Sequence, residues 1–332
     1  VFYGWGEPVY VLIMFLSIAI DYSHGRIVTR CKAEGNDRGA RMAVASSVVF
    51  NLALLGFFKY YNFIAGSLAA VGLSFTYFNM VDTPAFVGFD NYVRMLFDDD
   101  VFFIALKNTA VFAMITGPVS YILSFLTAWL INEFNRFVRT VLTLVFYLPS
   151  LAGNVYFVWV YIFSGDSYGL LNDVLIRLGI LSDPQQWLSD TKYMLGVVIV
   201  VILWLSLGTG FLAFVAGLQS MDRELFEAAA IDGIPNRFAE LWYITLPQMV
   251  PQLLFGAVMQ ISTSFAVGYE CMNLTGFPST DYATHTLVLH ILDFGQVRFE
   301  MGYACAVAVF LFAMMLLMWK AVNKLLSVWQ EG

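Results

Sequence analysis

Charge is scarce in this chain: of 332 residues only 12% are Asp, Glu, Lys or Arg. A soluble domain carries about 25%, so an ordinary water-facing surface is excluded. What charge there is balances to −7, with 17 Lys and Arg against 24 Asp and Glu. No run of basic residues appears, which excludes a nucleic-acid-binding face. Cysteine is nearly absent. Cys31, Cys271 and Cys305 lie far apart with no CxxC pair, so neither a zinc site nor a disulfide framework is expected. Histidine is as rare. His285 and His290 are five apart, on different faces of any helix, with no carboxylate at a metal-ligand spacing, and both are expected as polar loop residues. No glycine-rich loop ends in GK[ST], so a phosphate cradle is excluded. No catalytic constellation, metal or cofactor is expected.

What the chain has instead is grease. It is 60% hydrophobic, with a mean hydropathy of +0.74. A membrane span needs about 20 mostly apolar residues. Candidates are Val9–Ile20, Ala105–Ile131, Thr140–Phe163, Met194–Leu218, Met249–Tyr269 and Met301–Val322. The stretch Ala43–Tyr77, interrupted by "FKYYN", counts as one more crossing in which Lys59 snorkels to an interface or faces protein. The expected fold is an all-α polytopic membrane bundle of about seven transmembrane helices. Cytoplasmic loops are enriched in Lys and Arg. The loop holding Arg26, Arg30, Lys32, Arg38 and Arg41 is therefore placed inside, which puts the N-terminus outside and the C-terminus inside. Because the chain opens on Val1, a further piece is expected upstream; no cleavable signal peptide is read, since no basic segment precedes the first apolar run.

Between two apolar runs lies "EAAAIDGIPNRFAELWYITLP". Asp222 suits an N-cap, with Glu224 in the first turn favoured by the helix dipole. Ala228, Ala229 and Ala230 favour helix, and Gly233 suits a left-handed terminator. A helix of about ten residues follows, with Leu225, Ala228 and Ala229 on one face. Asn236 can cap a second short helix, and Pro247 suits the first turn of the next membrane helix. Amphipathic helices that lie on a bilayer usually carry a basic polar face. This one is acidic, with small residues that suit a protein socket.

"EAAAIDG" followed by "ITLP" resembles the coupling (EAA) loop of binding-protein-dependent ABC importer permeases of the sugar branch. "FVGFDNYVRMLF", "ALKNTAVF" and "PSTDYATHTLVLHILDFG" are similar to the same branch. The interval from Gly233 to Ile244 is one residue longer than the commonest family spacing. The resemblance implies a type I importer permease domain over 71–332, with its coupling loop at 220–247. It also implies a bacterial inner-membrane location, and a role as transport subunit rather than enzyme. The implied partners are ABC ATPase subunits, a second permease subunit and an extracytoplasmic sugar-binding protein. By position, Glu227, Ala228, Ala229, Asp232, Gly233, Leu246 and Pro247 match the part that seats in the ATPase. An ABC permease for glycerol phosphate or an amino acid is the near alternative.

Residues 1–66 read differently. "VFYGWGEPVYVLIMFLSIAIDYSHGRIV" and "NLALLGFFKYYNF" resemble the start of alginate O-acetyltransferase-type membrane-bound acyltransferases, so a fusion is expected. A truncated acyltransferase is the remote alternative, although no acyl-transfer centre can be assembled here.

Polar residues inside apolar runs tend to be functional. Ser206 and Thr209 precede the loop; Gln260, Ser262 and Ser264 follow it. Gln260 and Ser264 are four apart and share a helical face. With Thr209 opposite and Phe211 as a flat aromatic, they are the candidate pathway for a sugar, whose hydroxyls need partners once they leave water.

Overall fold

The computed structural model describes residues 8–34, 36–152, 155–231, 233–234 and 236–327, apart from the side chains of 8–16, 19, 52–65, 223, 230 and 325–327. Asp232 and the Lys59 side chain therefore lie outside the description. The chain divides into two compact units, Val1–Ala69 and Ala70–Gly332.

The first unit is built on two helices. Pro8 opens α1 (Pro8–Ala33), where its missing N–H costs no hydrogen bond. In the turn that follows, the Asn36 side chain accepts from the Gly39 N–H at 2.9 Å and caps α2 (Asp37–Leu73). The two helices are clasped by polar side chains. Ser47 and Asn51 both donate to the Asp21 carboxylate, at 2.5 and 2.6 Å, and Ser17 donates to Asn51 at 2.5 Å. Such interhelical bonds hold apolar helices together where lipid supplies no hydrophobic drive. The helix α1 covers the expected span Val9–Ile20, whereas α2 covers Ala43–Leu73 and the rest of the expected Ala43–Tyr77 leaves the helix, Thr76 and Tyr77 forming a short strand.

The second unit begins with a two-rung ribbon, β1 (Thr76–Tyr77) against β2 (Ala85–Phe86). It continues through α3 (Asp90–Phe97) to α4 (Asp100–Asn132), a 33-residue span capped where Asp99 accepts from the Phe102 N–H at 3.0 Å. Next come α5 (Arg136–Leu151), α6 (Tyr156–Ile162) and the short α7 (Leu170–Arg177). The helices α8 (Thr191–Leu205) and α9 (Thr209–Gln219) follow, then α10 (Arg223–Ile231) and α11 (Arg237–Gln248). The chain closes with α12 (Val250–Phe265), α13 (Tyr269–Thr275), α14 (Leu287–Leu292) and α15 (Met301–Ser327). By length and composition the described residues hold three membrane-spanning helices, or five if each bent pair is one span. Neither α1 nor α2 is among them, so the described residues account for up to five of the about seven expected spans.

Three expected spans of this unit differ from their sequence reading. Thr140–Phe163 holds two helices, α5 and α6, bent by 85° to one another. Met194–Leu218 is interrupted at 206–208, between α8 and α9. Met249–Tyr269 contains a helix of only 16 residues, ~24 Å long and short of a ~30 Å hydrocarbon core. The chain enters that helix from α11 through a bend of 81°. Pro247 stands before the bend, and Pro251 takes the first turn of α12 in its place. Having no N–H, Pro247 leaves the carbonyl four residues back without its helical donor, and the backbone widens to a π turn over Leu241–Thr245 just ahead of it.

The centre of the unit is the packing of α4, α9 and α12 on one another. Small residues allow it. A Cβ on Gly210 would lie 3.8 Å from the Gly256 backbone, and one on Gly117 would lie 3.4 Å from the Ser264 hydroxyl. Around this contact Phe125, Phe211, Phe214 and Met249 form one apolar cluster, and Phe102, Leu287, Phe294 and Tyr303 belong to another. In lipid, close backbone approach through small residues replaces the hydrophobic effect as the source of helix association.

Candidate functional site

The break between α8 and α9 is the first element of the site. Leaving the helix frees backbone groups, and two hydroxyls take them up: Ser206 donates to the Leu203 carbonyl at 2.6 Å, and Ser124 on α4 donates to the Ser206 carbonyl at 3.4 Å. Irregular backbone at membrane depth is tolerated only when buried in protein or lining a cavity. Here a cavity of about 280 Å³ opens on it. Its walls include Thr116 of α4, Tyr147 and Ser150 of α5, and Ser206, Gly208 and Thr209 at the break. Opposite them are Gln260, Thr263 and Ser264 of α12 and Glu270 of α13.

Three of the four expected pathway residues therefore meet at one cavity. Thr209 is exposed to it, Gln260 is half-buried, and Ser264 is buried with its hydroxyl on the Ile261 carbonyl at 3.1 Å. Phe211 is a correction. It is fully buried between Phe125, Phe214 and Leu218, so its ring backs the wall instead of meeting a solute. Two residues along α9, about half a helical turn, Phe211 points away from Thr209. Behind α12 lies a second, apolar cavity of about 370 Å³, lined by Met114, Tyr121, Phe265 and Met318 and sharing Gln260 and Ser264 with the first.

The second element is the loop after α9. Asp222 accepts from the Glu224 N–H at 3.1 Å, and α10 runs for nine residues. Gly233 terminates it with φ of 84°, and the Ile234 N–H returns to the Ala229 carbonyl at 3.1 Å. The Asn236 side chain then accepts from the Ala239 N–H at 2.9 Å and starts α11. Of the three residues expected on one face, Ala229 is buried while Leu225 and Ala228 are exposed. Glu227, Gly233 and Pro247 are exposed and Leu246 is half-buried. Along the same loop Ile231, Phe238, Trp242 and Tyr243 stand exposed, four large apolar side chains. Arg237 anchors the loop to the turn after α4, bonding Glu133 at 2.9 Å and Glu240 at 3.3 Å, with the Phe238 ring 5.8 Å from Trp129.

Sequence reasoning missed a third cluster. His285 and His290, expected as polar loop residues, are both buried. Their rings meet at 3.4 Å between His285 Nε2 and His290 Nδ1. His290 Nε2 lies 3.0 Å from the Asp99 carboxylate, which also accepts from the Tyr303 hydroxyl at 2.6 Å. Burial opposes ionisation of Asp99, but the bonds to His290 and Tyr303 overcome it and hold the carboxyl well below the usual range. Burial first, and then His290, push His285 down to about 4. Arg94, paired with Glu300, lies over the Tyr303 ring at 4.7 Å. The cluster joins α3, α4, α14 and α15. Nothing local signals it, because Asp99 and His290 are 191 residues apart.

Residues 120–326 match the family described as binding-protein-dependent transport system inner membrane component. The chain belongs to that family. It is a transport component of the inner membrane and not an enzyme. It is 30% identical over 231 residues to the lactose transport system permease protein LacF of Rhizobium radiobacter, covering 68% of this chain and 74% of that protein. Two crystal structures share its fold. One is of a bacterial alginate ABC transporter in complex with alginate pentasaccharide-bound periplasmic protein, with a TM-score of 0.69 at 21% identity, covering 86% of this chain and 95% of that one. The other is of a bacterial ABC transporter involved in the import of the acidic polysaccharide alginate, with a TM-score of 0.66 at 22% identity, covering 87% of this chain and 98% of that one.

Proposed function

We propose that this permease carries a carbohydrate, handed over by an extracytoplasmic binding protein, through the cavity between the α8–α9 break and α12. The observation that carries the reading is the cavity itself: irregular backbone, hydroxyls and one amide converge where an apolar bundle would otherwise close. A sugar leaving water must exchange each hydroxyl's hydrogen bonds for new ones. Thr209, Gln260 and Ser264 offer them, and Gln260 both donates and accepts. The relative named for lactose transport supports this substrate class.

The loop 220–247 is the coupling element, with Glu227, Ala228, Ala229, Asp232, Gly233, Leu246 and Pro247 seated against a cytoplasmic ATPase subunit. Its support is the four exposed apolar side chains along the loop, a composition suited to a protein partner. A second permease subunit completes the channel. Residues 1–66 are a fused acyltransferase-like membrane segment ahead of a permease domain over 71–332; the unit boundary at Ala69 supports that division.

Gln260→Leu tests the pathway. Uptake by the reconstituted transporter should fall by a factor of about 2–13, the equivalent of ~0.5–1.5 kcal/mol for one hydrogen bond to a neutral partner, while assembly with the ATPase is retained. Wild-type uptake and apparent affinity in both Gln260→Leu and Ser264→Ala would remove it.

A further inference from the structure

We propose that the cavity selects against anionic sugars, and that Glu270 is the residue that does so. The proposal rests on the pathway reading above and names its substrate class: neutral saccharides, or saccharides bearing an amino group, in preference to uronates and other acidic sugars.

Among the residues lining the cavity Glu270 is the one carboxylate, and no Lys, Arg or His accompanies it. Tyr147 is the other titratable side chain there, and it is a phenol. Every other polar group in the wall is a hydroxyl or an amide, able to serve a sugar hydroxyl but unable to neutralise a carboxylate. Glu270 is held in place. It sits in the first turn of α13, half-buried, and its carboxylate accepts from the Gly268 N–H at 3.1 Å. The Gly268 backbone that supplies this donor is packed closely on Val288, with room for no Cβ: one there would meet the Val288 side chain at 2.7 Å. The carboxylate therefore cannot swing out of the way without giving up its backbone partner.

In a space of about 280 Å³ a bound sugar ring has no room to keep a full hydration shell between its substituents and the wall. Like charges a few ångströms apart in a poorly solvated cavity repel far more than in water. Juxtaposed like charges are a standard means of suppressing a wrong partner. A neutral sugar meets no such penalty, because a carboxylate accepts hydrogen bonds from hydroxyls, and an amino group gains an opposite charge.

The test uses the purified transporter complex in nanodiscs without its binding protein, so that only the membrane cavity selects. Saturation-transfer NMR with glucose, glucosamine and glucuronate at matched concentration reads weak binding directly. Glucose and glucosamine should bind, and glucuronate should bind about tenfold more weakly or not at all. Glu270→Gln, which keeps an acceptor for the Gly268 N–H, should bring the glucuronate-to-glucose ratio close to one; Glu270→Asp should keep it low. Co-purification of the ATPase verifies that each variant assembles. Glucuronate binding to the wild type as strongly as glucose, or a ratio that Glu270→Gln leaves unchanged, overturns the charge filter alone. Binding of none of the three sugars, or binding of all three untouched by Gln260→Leu, overturns the pathway reading and this proposal with it.

Discussion

At Gly233 a single backbone angle decides how two short helices meet. Its φ of 84° lies where side chains with a Cβ clash with their own backbone, yet no neighbouring atom comes within 4 Å of where a Cβ would stand. A substitution there is penalised by conformation and not by packing. Gly233→Val should cost ~1–2 kcal/mol of the native loop geometry, a factor of about 5–30 in the population of that geometry. Gly233→Asn should cost less, since Asn tolerates this region. The ratio of ATP hydrolysed to solute taken up in proteoliposomes reads the difference. Equal effects from Val and Asn would mean that the angle is not what matters. His285 illustrates the other residue-scale effect. Its folded-state value of about 4 lies below the ~6.5 of an unfolded histidine. Between those values the unfolded chain binds a proton that the folded chain refuses, so stability falls as pH drops through this window, by at most ~1.4 kcal/mol per pH unit. Asp99 acts lower: its carboxyl is depressed, so its contribution is complete above ~3.9 and is lost only below that. Thermal melts in detergent from pH 7 to pH 4 should show a steeper loss for the wild type than for His285→Gln. The Gln variant keeps the bond from Asn108 to the backbone carbonyl of residue 285, at 2.9 Å. Parallel slopes would assign the pH dependence elsewhere.

The helices of the site are defined by where they stop. Apolar composition carries α8 and α9 as one run, but Gly208 and the Ser206 and Ser124 hydroxyls permit a break whose backbone faces a cavity. The same economy of small residues lets α12 lie on α9. A Cβ on Gly256 would stand 2.4 Å from the Phe214 ring, which is itself buried against Tyr121 and Phe125. Gly256→Ala should therefore destabilise the bundle by ~1–3 kcal/mol through overpacking, seen as a lower melting temperature of the purified protein. Adding Phe214→Leu should recover part of the loss. An unchanged melt for Gly256→Ala would show that the ring yields freely. The coupling loop was legible because its signals are local: Asp222, Gly233 and Asn236 each act on backbone within three residues. Pro247 was assigned to the wrong side of a bend because sequence spacing does not distinguish the first turn of one helix from the last turn of another.

At the scale of the whole chain the arrangement has two faces. The count of crossings and the distribution of Lys and Arg predict that the acidic turn before α4 and the 220–247 loop face opposite sides of the membrane. Asp98 and Asn236 are both exposed, whereas Asp99 is tied to His290 and Tyr303 and makes a poor labelling site. Asp98→Cys should react with a membrane-impermeant maleimide added from outside, and Asn236→Cys only after permeabilisation. Labelling of both from outside would reverse the orientation of the coupling loop.

Composition by itself determined the solvent. A chain with 60% hydrophobic and 12% charged residues must satisfy its backbone within helices, because lipid offers no hydrogen bonds. The caps of the 220–247 loop were legible in the sequence as well, because capping needs only near neighbours. Tertiary structure alone decided which polar residues meet. Thr209, Gln260 and Glu270 reach one cavity because of how α9 and α12 cross at Gly210 and Gly256. The His285–His290–Asp99–Tyr303 cluster likewise exists only when α4, α14 and α15 are packed. Long-range packing of small residues sets these meetings, and no local pattern in the chain encodes a crossing between helices so far apart in sequence.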